Sequence, residues 1–141
     1  MSAAKTYFFL TFLLLSPGNW AKKLSGVNWH EGSVKSAFIR AKKENKPIFL
    51  YWGAVWCPPC NHMKKKVFTH KLFKKEVGNF GAVYLDGDEQ RAQVWGEKLK
   101  AKGYPTMLVM DPSGQELIRM PTGIPVEKYV DILQKARKQT T

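Results

Sequence analysis

Residues 48–52 read Ile-Phe-Leu-Tyr-Trp, an unbroken apolar run. It is too short for a helix, and it lacks the polar alternation that would leave one face in water. It fits a strand covered on both faces, the place a central strand takes in a sheet with helices above and below. The flanking sequence supplies such layers. Val34, Ala37, Phe38 and Ala41 recur at i, i+3, i+4 and i+7, with Lys35, Arg40, Lys42 and Lys43 on the other side. That is a helix with one buried face, and Asn45-Lys46-Pro47 stops it.

Downstream, Cys60, Met63 and Val67 again keep helical spacing in a basic segment. Residues 80–85 read as a second strand, closed by Asp86-Gly87-Asp88. Ala92, Trp95, Gly96 and Leu99 mark a further helix that ends near Gly103. Residues 106–110 form a third strand, and Asp111-Pro112-Ser113-Gly114 is a turn. It leads back into residues 116–120 as an antiparallel hairpin. Val126, Tyr129, Val130 and Leu133 give the last helix. The order α-β-α-β-α-β-β-α predicts an α/β fold with a central mixed sheet flanked by helices. With 141 residues and no internal repeat, the chain is expected to hold a single domain.

A hydrophobic fraction of 44% excludes a disordered or collagen-like chain. Two cysteines cannot scaffold a domain that lacks a core, so packing must hold this one together. The formal charge is +12, but the basic residues are scattered and no groove-reading motif accompanies them. Nucleic acid is therefore not an expected partner. Lys64, Lys65, Lys66, Lys71, Lys74 and Lys75 follow the cysteines closely. They are either a solvated helix surface or a basic face that speeds reaction with acidic substrates.

Residues 1–21 have the pattern of a secretory signal peptide. Lys5 precedes the apolar run Tyr7–Leu15, and Ser16-Pro17-Gly18 breaks it. Cleavage is expected after Gly18 or Ala21, leaving 22–141 as the folded domain. The run is too short to span a bilayer by itself. Export would place the cysteines where disulfides persist. The chain has no Asn-x-Ser/Thr acceptor and no ER-retention ending, which favours a periplasmic or secreted location over the ER lumen.

The sharpest chemical signal is Trp56-Cys57-Pro58-Pro59-Cys60, between a buried strand and a helix start. Cys57 at that start meets unsatisfied backbone N–H groups and the positive end of the helix dipole. Both favour the thiolate, which is the nucleophile in disulfide exchange. Pro58 and Pro59 fix φ for a first helical turn and donate no hydrogen bond. Two other uses of the pair are a purely structural disulfide and a metal site, the latter with His62 or His70. Structural zinc wants four ligands, and the chain has one cysteine pair, so no metal is expected. A second element, Gly103-Tyr104-Pro105-Thr106, precedes the third strand, where a proline is often at an edge or in a cis turn.

Over residues 29–137 these features resemble the thioredoxin superfamily. The resemblance rests on Trp56-Cys57-Pro58-Pro59-Cys60, on Tyr104-Pro105-Thr106 and on the 111–114 turn. Trp29, Ala41-Lys42, Asn45-Lys46-Pro47-Ile48, Met63 and Val67-Phe68 look most like the exported branch near the DsbD C-terminal domain. The resemblance implies a thioredoxin fold and an enzyme, a thiol–disulfide oxidoreductase that needs no cofactor. Cys57 would attack and Cys60 resolve. Pro105 would be cis, and Trp56, Tyr104, Pro105 and Thr106 would bind substrate. The implied partners are protein disulfides and a membrane-embedded thiol electron donor. A metal-handling (copper) or chaperone module using the same cysteines and His62 is the alternative.

The chain departs from thioredoxin at two positions. Tyr51 stands six residues before Cys57, where thioredoxins hold a buried Asp. A phenol with an ordinary pKa of about 10 is a poor base at neutral pH, which leaves water, Asp86 or Glu89, or the substrate's own leaving thiol, to take that part. Pro58 replaces thioredoxin's glycine.

Overall fold

The computed structural model describes residues 26–140. The signal peptide expected at 1–21 lies outside them. The elements are α1 (Val34–Glu44), β1 (Ile48–Gly53), α2 (Pro58–His62), α3 (Lys71–Val77), β2 (Gly81–Asp86), α4 (Gln90–Lys98), β3 (Thr106–Met110), β4 (Glu116–Met120) and α5 (Val126–Lys138). The sheet order is β2-β1-β3-β4, with β1 parallel to β2 and antiparallel to β3, which in turn pairs antiparallel with β4. This is the mixed α/β arrangement that the sequence pattern predicts.

All six residues of β1 are buried because the strand separates two cores. Side chains alternate across a strand. Ile48, Leu50 and Trp52 therefore pack with Val34, Ala37 and Ala41 of α1 on one face. Phe49 and Tyr51 pack with Trp29, Phe68, Phe73, Tyr129 and Leu133 on the other. Both ends of α1 are capped by its own sequence. Ser33 Oγ accepts the Ser36 N–H at 3.0 Å, and Asn45 closes the helix with φ of 51°. Asparagine tolerates that left-handed conformation better than most residues.

The segment after the cysteines differs from the single helix suggested by its spacing. α2 ends at His62 and passes into a π turn over Met63–Val67, in which the Phe68 N–H donates to the Met63 carbonyl at 2.9 Å. A π turn accommodates one extra residue. Here it brings Met63, Val67 and Phe68 all into the core. The chain then breaks, and His70 caps α3, its Nδ1 accepting the Leu72 N–H at 3.3 Å.

Candidate active site

Between β1 and α2 the chain carries Ala54 buried, Val55 and Trp56 about two-thirds exposed, and then the cysteine pair. Cys57 is the N-cap of α2 in extended conformation (φ −81°, ψ 117°), and Pro58 and Pro59 occupy the first helical positions. The Cys57 sulfur accepts the Cys60 N–H at 3.3 Å. An otherwise unsatisfied helix N–H is thus aimed at that sulfur, the arrangement that stabilises a thiolate once the bond is reduced. The two cysteines form a disulfide, with Cα atoms 5.2 Å apart. They are not equivalent: Cys57 keeps 3% exposure and Cys60 none. What little surface the pair shows belongs to the first.

Facing outward beside the pair is an aromatic group. The Tyr104–Pro105 peptide is cis. Tyr104 stacks on Trp52 at 4.2 Å between ring centroids, and Trp56 meets Tyr104 edge-on at 5.5 Å. The Trp56 indole N–H donates to Asp88 Oδ1 at 2.9 Å, across the turn after β2. Gly87 in that turn lies so close under the Tyr104 ring that a Cβ there would collide with it. The structure therefore brings Trp56 and Tyr104 together at the dithiol. Pro105 and Thr106 are buried, and the Thr106 hydroxyl donates to the Gly103 carbonyl at 2.8 Å. The Thr106 side chain is thus tied to the chain's own backbone. Asp88, Trp52 and Gly87 are site residues that sequence reasoning passed over. Asp86-Gly87-Asp88 was legible as a strand end, but nothing local links it to Trp56.

Tyr51 is fully buried, and its ring runs along β1 over Gly53, where a Cβ would strike it. The hydroxyl has no hydrogen-bond partner among the described residues. Burial, reinforced by Tyr84 and Asp86, pushes its pKa far above the ordinary phenol value. It is no base near neutrality. The two nearby carboxylates are engaged in the β2–α4 turn: Asp86 Oδ1 accepts the Asp88 N–H at 3.0 Å, and Glu89 faces Arg91 at 3.5 Å.

The six lysines do not make one basic face. The break before α3 sends them in different directions. Lys64 sits with its ammonium 5.3 Å from the centre of the Tyr84 ring, whereas Lys74 lies against Gly26. His62 is exposed at the end of α2, and His70 is used as a cap.

A buried mixed sheet with a cysteine disulfide at the helix that follows its central parallel strand defines a redox-type α/β domain. Residues 34–137 match the model of the thioredoxin-like domain, and the chain belongs to that family. It is 27% identical over 112 residues to the disulfide bond reductase DsbH of Chlamydia pneumoniae, covering 70% of this chain and 66% of that protein. It is 28% identical over 93 residues to the thiol:disulfide interchange protein DsbD of Photorhabdus laumondii, covering 64% of this chain and 15% of DsbD. The chain thus spans less than two-thirds of the length of either relative. Among solved structures, a DsbH oxidoreductase superposes with a TM-score of 0.70 at 24% identity, over 82% of this chain and 88% of that one. That likeness is one of fold.

Proposed function

We propose that the protein is an exported thiol–disulfide oxidoreductase that reduces protein disulfides through Cys57 and Cys60. The observation that carries this is the asymmetry of the pair. Cys57 keeps what exposure the pair has and receives a helix N–H, while Cys60 is fully buried. In the reduced protein the Cys57 thiolate attacks one sulfur of a substrate disulfide. The substrate's S–S bond breaks, a Cys57–substrate disulfide forms, and one substrate thiolate departs and takes a proton. The Cys60 thiol then loses its proton and attacks the Cys57 sulfur, releasing the second substrate thiol. Two electrons have passed to the substrate, and Cys57–Cys60 is oxidised. With Tyr51 unable to act as base, water, Asp86 or Glu89 takes the Cys60 proton.

Trp56 and Tyr104 flank the reacting sulfurs, and the backbone at Tyr104–Thr106 would hold an extended substrate segment as an added strand. The name of the DsbH relative, a disulfide bond reductase, supports net reduction, and that of the DsbD relative supports thiol–disulfide interchange. Residues 1–21 would supply the export signal. In an oxidising compartment the pair would draw electrons from a membrane-embedded thiol donor.

The test is turnover of a protein disulfide by two variants. Cys57→Ser should be inactive, and Cys60→Ser should accumulate mixed disulfides with substrate. Undiminished turnover by Cys57→Ser would overturn the mechanism. Equilibration with glutathione fixes the direction: a potential near about −270 mV marks a reductase, and one near about −120 mV an oxidant.

A further inference from the structure

Lys64 stands apart from the rest of the basic run after the cysteines. Lys65 and Lys66 are exposed, whereas Lys64 is half-buried. It lies one turn beyond Cys60 on the same helical stretch. Its stem leans toward the sheet, with the ammonium 5.3 Å from the centre of the Tyr84 ring. Tyr84 pairs with Tyr51 across β1 and β2, and their ring centroids are 5.1 Å apart. Tyr51 belongs to the same buried cluster as Cys57 and Cys60. Lys64 also shares the wall of one cleft with Val55, two residues before Cys57. The cation is thus held on the β2 side of the dithiol.

The end of β2 carries the opposite charge. Asp86, Asp88 and Glu89 follow one another into α4. The Asp86 charge reaches both Tyr51 and Tyr84. Carboxylates near a thiol oppose its ionisation, and so does burial. Arg91 faces Glu89 at 3.5 Å but is 91% exposed, so water screens it. His62 and Lys65 are exposed as well. Lys64 is therefore the cation on this side that is withdrawn from water. Among the described residues no carboxylate lies within salt-bridge distance of it, so its charge is not confined to one pair. Burial lowers its pKa, and Asp86 and Asp88 oppose that shift. Starting from an ordinary value of about 10.4, it stays charged at neutral pH.

We propose that Lys64 is a positioning residue for the resolving step: its half-buried charge offsets the carboxylates at the end of β2 and keeps the Cys60 thiol ionisable near neutral pH. This deepens, and rests on, the assignment of Cys60 as the resolving thiol. Lys64 makes no bond to sulfur or substrate and keeps its own proton throughout. It shifts the Cys60 equilibrium from thiol toward thiolate, whose electron pair then attacks the Cys57 sulfur. The lower that thiol pKa, the weaker the proton acceptor that suffices, and Tyr51 supplies none.

The experiment titrates the Cys60 thiolate by its ultraviolet absorbance in the full chain carrying Cys57→Ser. Adding Lys64→Gln should raise the midpoint by about one pH unit. Lys64→Met keeps the stem against Tyr84 and should raise it equally, which covers the case where the glutamine variant does not fold. Lys64→Arg retains the charge and Lys65→Gln removes one already in water, so each should leave the midpoint within about 0.3 of a pH unit. With both cysteines present, Lys64→Gln should slow decay of the Cys57–substrate disulfide about tenfold at pH 7, and raising the pH should recover the rate. A midpoint unmoved by Lys64→Gln and Lys64→Met would overturn the proposal. An equal rise with Lys65→Gln, or a rise that Lys64→Arg shares, would do the same. So would a rise confined to Cys57, titrated in the Cys60→Ser chain. The titration uses no substrate, so its failure leaves the reductase mechanism standing. Undiminished turnover by Cys57→Ser would remove that mechanism without moving the midpoint.

Discussion

Trp56 and Asp88, 32 residues apart, are joined by an indole N–H···Oδ1 hydrogen bond of 2.9 Å. This bond ties the turn after β2 to the residue before the attacking cysteine. It holds Trp56 edge-on to Tyr104, so that one aromatic wall stands beside the sulfurs. Asp88→Ala should release the indole. The bond is exposed, so stability should drop by no more than about 1 kcal/mol. Reduction of a protein disulfide should slow several-fold through a raised KM, and tryptophan fluorescence should shift. Unchanged kinetics and emission would show that Trp56 is held by packing alone.

Trp52 supports that wall from below. Its indole N–H donates to the Ala92 carbonyl at 3.3 Å, and its ring stacks under Tyr104. Gly96 of α4 is the close neighbour: a Cβ there would sit 2.7 Å from Trp52 Cζ2. Gly96→Ala is expected to cost about 1–3 kcal/mol by overpacking. It should also displace Tyr104, visible as loss of the near-ultraviolet dichroism of the stacked pair.

The phenols set an alkaline limit. Burial pushes Tyr84 up to about 12 and Tyr51 further still. Unfolded, each would ionise near about 10. The unfolded chain therefore loses these protons first, and the stability they contribute is full below pH ~10 and lost as pH climbs through the folded values. Urea midpoints should be level from neutrality to that point and then fall. Tyr51→Phe removes an unpartnered buried hydroxyl, so it should be neutral or stabilising by about 1 kcal/mol and should soften the alkaline loss. Its exchange rate at pH 7 should match the parent, and a large loss would make the phenol a participant after all.

Glu76 and Arg137 bind α3 to α5. Arg137 Nε donates to Glu76 Oε1 at 2.8 Å, and the two side chains are 36% and 8% exposed respectively. The difference in exposure predicts unequal truncation costs. Arg137→Ala strands a buried carboxylate and should cost about 3–5 kcal/mol. Glu76→Ala leaves a guanidinium that can turn to water and should cost less, about 1–3 kcal/mol. Chemical denaturation of both variants checks the order.

Local pattern carried most of the architecture into view. Ile48–Trp52 suited a strand covered on both faces, and the three-and-four spacing of Val34, Ala37 and Ala41 suited a helix with one buried side. Trp56-Cys57-Pro58-Pro59-Cys60 placed a sulfur at a helix start because prolines allow a first turn and nothing before it. Each of these depends on forces acting within a few residues. Contacts between residues far apart in sequence have no such signature. Packing of Met63, Val67 and Phe68 into one core decided the π turn, and the break that follows it before α3 dispersed the lysines that look clustered in the sequence. The pairing of Asp88 with Trp56 and the sealing of Tyr51 likewise depend on the crossover that lays β2 beside β1. Chain order constrains such neighbours, but only the closed sheet brings them within bonding distance.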